Sequence, residues 1–257
     1  MKILILGSKS MTCRLIISQL KPAVRTHFYY AQYRHLQFDK GGRRNIGRWA
    51  RNDKRYLLLK LFEGFIDPLI SALSENGWRK LFRAKQIVHI NIKRQPKVKL
   101  LRLIKEEEFS MVVSIGPMII SKGLLQSDVR FFNVHSAKLP EFGGLANEVW
   151  VRLFDETRMY STIHTMSPKL DSGVVLASRS EEISPDWSIF RTNIENCKLS
   201  GKLLHYFIEN SNAIPGKESA PAIESTCRSM PSKQHVDEIR RKNIALIRKE
   251  DFKCLYA

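Results

Sequence analysis

The chain has 257 residues, of which 43% are hydrophobic, enough to bury the core of one large domain or of a domain with a small addition. No apolar run approaches the roughly 18 residues of a membrane span, and the N-terminus lacks a signal-peptide pattern, so we expect a cytoplasmic protein with no membrane partner. The four scattered cysteines form no CxxC pair, which indicates a reducing compartment and argues against a zinc site.

The first predicted unit is a buried strand over residues 2–6, a turn, and a helix over residues 11–20. A strand, a glycine-containing turn and a helix typically open a nucleotide-binding α/β unit, because the first amides of the helix can bind phosphate. The turn matches neither GxGxxG nor a P-loop, so a plain strand-to-helix turn is the alternative. The candidate substrate-binding residues of this turn are Gly7, Ser8, Lys9 and Ser10.

After a second strand over residues 26–31, residues 32–85 form a long basic insertion with a mostly helical pattern. Apolar residues recur at helical spacing from Leu57 to Leu73, and Pro68 is expected to interrupt the helix. Aromatic residues among the positive charges, such as Tyr29 and Tyr30, could stack on a base or belong to the core.

The positive charge is concentrated in the N-terminal part of the chain. Residues 1–110 hold 24 Lys and Arg against 8 Asp and Glu, a net +16 of the total +18. A one-sided field attracts anions, so we expect a small anionic substrate, nucleotide-linked or otherwise phosphorylated. RNA is the less favoured partner because no RRM or KH motif is present, and a solvated basic face is the alternative for residues 44–55.

Strands over residues 87–90 and 111–115, separated by a helix over residues 98–108, continue the alternation of strand and helix. This alternation predicts an α/β fold with a parallel sheet, in which ligands bind at the carboxyl ends of the strands. The second of these strands ends in a run that is either a ligand-binding loop or a simple loop: Ile115, Gly116, Pro117, Met118 and Ile119.

The candidate catalytic residues lie at the end of the next strand and in a later turn. Asn133 and His135 project to the same side because side chains alternate along a strand, and Asp171 lies in a turn between strands over residues 160–166 and 174–177. Acyl transfer to an amine needs a base, a group that orients it and a hydrogen-bond donor for the oxyanion. The imidazole, the carboxylate and the amide can fill these roles without a metal ion.

Each of these residues also has a structural interpretation. A histidine after a strand is often a satisfied buried group, and an aspartate in a turn often forms that turn. The ordered set of Asn-x-His, a Pro and Gly-Gly segment and Asp-x-Gly favours function over coincidence. We interpret His164, on the strand before Asp171, as a packing residue or a rim contact.

These motifs resemble the signature of the folate-dependent formyltransferases, the family of methionyl-tRNA formyltransferase, glycinamide ribonucleotide transformylase and the sugar N-formyltransferases. The resemblance covers about residues 86–180 and includes the helix that carries Trp150. It implies a Rossmann-like formyltransferase fold, a mostly parallel sheet with helices on both faces, and formyl transfer from 10-formyltetrahydrofolate to an amine. The catalytic residues implied are Asn133, His135 and Asp171.

The resemblance also implies where the two substrates bind. The folate would contact the run from Ile115 to Ile119 together with Leu170, and the acceptor would contact the turn after the first strand together with Gly143 and Gly144. Many relatives carry Ser-Leu-Leu-Pro and an Arg-Gly pair where this chain has Ala137-Lys138-Leu139-Pro140 and Gly143-Gly144. This departure disfavours methionyl-tRNA as the acceptor.

The remaining chain predicts a helix capped by Ser184 and running to about residue 209, then a Ser- and Pro-rich linker over residues 211–231 and a short basic helix near residues 235–242. We therefore divide the chain into a catalytic domain, residues 1–210, and a linker with a small appendage, residues 211–257. The expected acceptor is a nucleotide-linked amino sugar, with glycinamide ribonucleotide or methionyl-tRNA as alternatives. An inactive relative that binds an anionic partner is the alternative of another class, and the oligomeric state stays open, a homodimer included.

Overall fold

The computed structural model describes residues 1–22, 26–32, 53–73, 77–90, 96–116, 124, 128–211 and 224–255. Several predicted features lie outside these residues. They are the basic stretch of residues 33–52 within the insertion, and three of the expected folate contacts, Pro117, Met118 and Ile119.

The described strands form one large sheet and one small ladder. In chain order they are β1 (Lys2–Gly7), β2 (His27–Gln32), β3 (Ile87–Ile90), β4 (Met111–Ile115), β5 (Arg130–His135), β6 (Gly143–Gly144), β7 (Arg158–Thr165), β8 (Val175–Glu182) and β9 (Cys227–Arg228). The seven-stranded sheet has the order β3-β2-β1-β4-β5-β7-β8. Its first five strands run parallel, whereas β7 is antiparallel to both β5 and β8. The ladder pairs β6 with β9.

The helices cover both faces of the sheet. They are α1 (Met11–Ser18), α2 (Lys54–Leu73), α3 (Gly77–Ala84), α4 (Pro96–Glu107), α5 (Asn147–Leu153), α6 (Ile189–Glu209), α7 (Lys233–Arg241) and a final 3₁₀ helix (Lys249–Leu255). Alternation along β1 sends Ile3 and Ile5 into the core with α1 and α6, and Leu4 and Leu6 into a second core with α4. The predicted α/β fold with a mostly parallel sheet and helices on both faces is confirmed.

Two predicted helix features are wrong in detail. The long helix begins at Ile189 rather than near Ser184, because Ser188 is the residue whose hydroxyl accepts a hydrogen bond from the amide of Arg191. The amide of Trp187 instead donates to the Ser184 carbonyl in a turn ahead of the helix. Pro68 also fails to interrupt α2, which continues through it as one helix of 20 residues.

The end of the chain is more ordered than the predicted linker. Residues 224–230 include β9, and residues 212–223 lie outside the described part. The predicted basic helix is present as α7, and its Val236 and Ile239 are fully buried in the main core. Tyr30 is also fully buried, packed on Trp78 and Phe82, so it belongs to the core.

Candidate active site

A cavity of about 420 Å³ lies at the carboxyl ends of the central strands β4 and β5. Ile115 and Gly116 line it from the end of β4, and Asn133 and His135 line it from the end of β5. This is the position in an open parallel sheet where ligands bind, because neighbouring strands end there and leave a crevice. Asp171 reaches the same cavity from the turn after β7, so the structure brings the three predicted catalytic residues together.

Asn133 is held by a histidine on the neighbouring strand. Antiparallel pairing of β5 with β7 places it directly opposite His164, and its Nδ2 lies 3.1 Å from Nε2 of that ring. Since Nδ1 of His164 donates to the Thr165 carbonyl at 2.9 Å, Nε2 of the neutral ring must accept, and Asn133 donates. The amide keeps a second N–H, and its Oδ1 is buried without a partner among the described residues.

His164 is buried, with 2% of its surface exposed, so the interpretation as a rim contact is wrong, whereas burial agrees with a packing residue that also hydrogen-bonds Asn133. Burial lowers the pKa of this imidazole, and the nearby His135 ring lowers it further. The Thr165 carbonyl and Asp171 raise the pKa, but not enough to offset burial. The ring consequently stays neutral near pH 7 and remains a hydrogen-bond acceptor for Asn133.

His135 is oriented by the loop that follows its strand. Its Nε2 lies 2.7 Å from the Phe142 carbonyl, which can only accept, so Nε2 carries the hydrogen and donates. In the neutral ring this leaves Nδ1 as the basic nitrogen, and Nδ1 lies 3.7 Å from Oδ1 of Asp171. The Asn147 amide, at the start of α5, approaches Nε2 at 3.4 Å.

Asp171 is fixed by the backbone of the glycine pair. Its Oδ2 accepts a hydrogen bond of 2.7 Å from the amide of Gly144, and Oδ1 lies between the rings of His135 and His164, 3.8 Å from the latter. The residue is 8% exposed and has φ of 49°, a left-handed conformation that aspartate tolerates better than most residues. The carboxylate therefore faces both imidazoles from one side of the cavity.

Some of the other predicted binding residues line the cavity, and some do not. Ile115, Gly116, Leu170 and Gly144 line the cavity, and Gly143 is buried beside it as part of β6. The four residues of the first turn, Gly7 to Ser10, do not line it. Ser10 instead caps α1 by accepting from the amide of Cys13. Phosphate binding at that turn stays a prediction.

Sequence reasoning missed a polar part of the cavity that comes from α2, α5 and α6. The helical spacing of apolar residues from Leu57 to Leu73 gave no signal that Lys60 and Glu63 would turn toward the site. The same holds for Glu148 of α5 and for Asn193 and Asn196 of α6. These residues come from distant parts of the sequence, and only the tertiary packing brings them to one wall.

Two further observations concern only the described residues. They contain no group of three or more His, Cys, Asp or Glu side chains placed to hold a metal ion. Within the same part of the chain, no helix combines the length and the apolar character needed to cross a membrane.

No family model matches the sequence. Among solved structures, a sugar N-formyltransferase from Shewanella sp. FDAARGOS_354 has a TM-score of 0.53 at 13% identity, covering 94% of this chain and 87% of that one. A 4-N formyltransferase from Francisella tularensis has a TM-score of 0.54 at 14% identity, covering 94% and 87%. Phosphoribosylglycinamide formyltransferase from Streptococcus pneumoniae TIGR4 has a TM-score of 0.54 at 15% identity, covering 82% and 99%. The chain therefore has the Rossmann-like fold of the formyltransferases.

Proposed function

We propose that this protein is an N-formyltransferase that moves the formyl group of 10-formyltetrahydrofolate to a primary amine. The observation that carries the proposal is the meeting of Asn133, His135 and Asp171 in one cavity of a formyltransferase fold. The residues fit the donor, since Ile115 and Leu170 offer apolar contacts, and Oδ1 of Asn133, buried with no partner among the described residues, offers a hydrogen-bond acceptor. When bound, 10-formyltetrahydrofolate supplies the activated formyl carbon.

The roles of the three side chains follow from their atoms. As the amine attacks, negative charge develops on the carbonyl oxygen, and the free N–H of the Asn133 amide would donate to it. The amine must lose a proton, and Nδ1 of His135 is the basic nitrogen because the Phe142 carbonyl holds the hydrogen on Nε2. Asp171, 3.7 Å from Nδ1, would stabilise the imidazolium that results, and His135 would then return the proton to the donor nitrogen as its bond to the formyl carbon breaks.

The acceptor we favour is an amino sugar carried on a nucleotide. The net charge of +16 in residues 1–110 suits an anionic carrier such as a nucleoside diphosphate. One of the solved structures with this fold is a sugar N-formyltransferase by name, which supports testing this class first. Glycinamide ribonucleotide and methionyl-tRNA complete the panel of acceptors.

The test is incubation of the protein with 10-formyltetrahydrofolate and each acceptor, with mass spectrometry to detect the gain of one formyl group. We expect His135→Ala to lower kcat/KM by about 10²–10⁴-fold, the usual contribution of a general base, and Asn133→Ala by about 10²–10³-fold. His205→Ala, on α6 and paired with Glu209 away from the cavity, is the control and should keep wild-type activity.

Calorimetric titration with 5-formyltetrahydrofolate separates an enzyme from an inactive relative. An enzyme should bind this folate, and Asn133→Ala should weaken binding less than it lowers the rate. A protein that ignores folate and formylates none of the acceptors would contradict the proposal and favour a binding module for an anionic partner. Binding of RNA that weakens steeply with rising salt would point to nucleic acid instead.

A further inference from the structure

A partly buried cluster of charged and amide side chains forms one side of the cavity, and we call it the Glu63 wall: Lys60, Glu63, Glu148, Asn193 and Asn196. The Lys60 ammonium lies 2.6 Å from Oε1 of Glu148 and 2.8 Å from Oε2 of Glu63. Asn193 donates to Oε1 of Glu63 at 3.1 Å. Three helices thus meet through one hydrogen-bonded network at the cavity.

The charges of this wall do not suit a phosphate. Burial alone would lower the pKa of Lys60, but Glu148 and Glu63 hold that pKa well above its usual range, so the ammonium stays charged and engaged. The other lysine among the described lining residues, Lys169, is paired with Glu224 at 2.7 Å. Both cations are already matched by carboxylates, and a phosphate placed here would meet Glu63 and Glu148.

The wall adjoins the catalytic residues through two direct connections. Glu148 follows Asn147, whose amide approaches the His135 ring at 3.4 Å. Asn196 donates to the carbonyl of Ser136, the residue after His135, at 2.8 Å. A group bound at the wall would therefore lie beside the amine that reacts near His135.

What the wall offers to a ligand is hydrogen-bond acceptors. Each carboxylate oxygen of Glu63 accepts one hydrogen bond and has a second lone pair. Asn196 is 2% exposed, and its Oδ1 is buried without a partner among the described residues. An unpartnered buried acceptor is costly, so a ligand donor that reached it would be favoured.

We propose that the Glu63 wall binds the hydroxyl groups of a polyhydroxylated ring that carries the reacting amine, while any phosphate of the acceptor lies away from it. Hydroxyl groups are neutral donors, so they can bind Glu63 and Asn196 without the repulsion that an anion would meet. This inference rests on the proposed function, because it assigns part of the acceptor to part of the same cavity.

The experiment measures binding of three probes by calorimetry in the absence of folate. They are a nucleotide-linked amino sugar, its counterpart with hydrogen in place of the ring hydroxyl next to the amine, and the nucleoside diphosphate alone. We expect Glu63→Gln to raise the Kd of the hydroxylated probe about ten-fold, as for loss of a charged hydrogen bond, and to change the other two less than two-fold. Asn193→Ala should give a smaller rise with the same selectivity.

Glu195→Gln is the matched control. Like Glu63, Glu195 is a glutamate in an ion pair, here with Arg191 at 2.8 Å, but it lies on α6 and does not line the cavity. Equal binding of both sugars by the wild type, or equal weakening of all three probes by Glu63→Gln, would overturn the inference. Formyl transfer is read separately by mass spectrometry. If the protein transfers the formyl group but Glu63→Gln does not change sugar binding, the role of the Glu63 wall is refuted and the proposed function stands. If sugar binding depends on Glu63 but no formyl group is transferred, the proposed function is refuted and the role of the wall stands.

Discussion

The protonation of one histidine controls how Asn133 is presented in the cavity. Nε2 of His164 can accept from the amide only while the ring is neutral, and the lowered pKa of His164 keeps it so at neutral pH. A proton on Nε2 would put two donors against each other at 3.1 Å. The amide would then lose the partner that orients it.

This predicts a pH dependence of stability that belongs to His164. The pKa of the ring is lower in the folded state than the value of about 6.5 in the unfolded chain, so the unfolded state binds more protons as the pH falls below that value. The stabilisation is present above pH 6.5 and is lost as the pH falls through the folded pKa. We expect His164→Gln to reduce this loss, measured as the free energy of unfolding in urea between about pH 8 and pH 5.

His27→Gln, which replaces an exposed histidine on β2, is the control and should follow the wild-type curve. If the free energy of unfolding of His164→Gln falls with decreasing pH as steeply as that of the wild type, another group causes the acid sensitivity. The same variant should also lower formyl transfer, because a freely rotating Asn133 amide donates less well to the developing charge.

The position of a site residue could be predicted from the sequence only where the geometry of a single strand or turn determines it. Asn133 and His135 share a side because of strand alternation, which any two positions i and i+2 obey. The contact of Asn133 with His164 depends on the register between β5 and β7, and a single-residue slip would turn His164 away. No local sequence pattern specifies that register, so the contact of His164 with Asn133 could not be predicted.

At the scale of elements, the short ladder of β6 and β9 supports the carboxylate of Asp171. Gly144 has φ of 92°, donates its amide to Asp171 and lies against the backbone of Arg228, whose carbonyl oxygen would be 2.2 Å from an added Cβ. The amide of Leu145 donates to the same carbonyl at 2.9 Å. A side chain at position 144 would have to push β9 away.

We expect Gly144→Ala to destabilise the protein by about 1–3 kcal/mol, from the strained φ and the backbone clash, and to lower formyl transfer because Asp171 loses its anchor. Thermal unfolding and kcat/KM measure the two effects. Gly143→Ala is the matched control for stability, since the atom nearest to its Cβ would be Oγ of Ser225, at 2.6 Å, which can rotate away, rather than backbone. Equal losses of stability in the two variants would mean that the backbone of β9 does not exclude a side chain at position 144.

The boundaries of elements show where local signals compete. Ser184-Pro185 has the composition of a helix start, but Ser188 caps α6 because its hydroxyl bonds both the Arg191 amide and the buried Asp251 at 2.6 Å. The second of these partners lies in the last helix of the chain. Pairing of β9 with β6 likewise depends on residues more than 80 positions apart, which no local pattern specifies.

At the scale of the whole molecule, the C-terminal helices are joined to the catalytic part by an ion pair and by backbone hydrogen bonds. Arg55 at the start of α2 pairs with Asp237 of α7 at 2.6 Å. The amides of Ile189 and Phe190 donate to the carbonyls of Ala245 and Leu246, each at 3.0 Å. The proposed division into residues 1–210 and 211–257 stays a prediction about sequence organisation, but these contacts favour joint unfolding.

We therefore expect a single unfolding transition, with tryptophan fluorescence and far-ultraviolet circular dichroism changing together in urea, since one of the four tryptophans, Trp150, packs on His235 of α7 with 4.8 Å between the ring centroids. Ile239→Ala, at a fully buried position, should lower the free energy of unfolding by about 2–5 kcal/mol through the cavity it leaves. Ile247→Ala, at a position 37% exposed, should stay within about 0.5 kcal/mol. If Ile239→Ala instead separated the two signals into distinct transitions, the C-terminal helices would be an independent unit rather than part of the core.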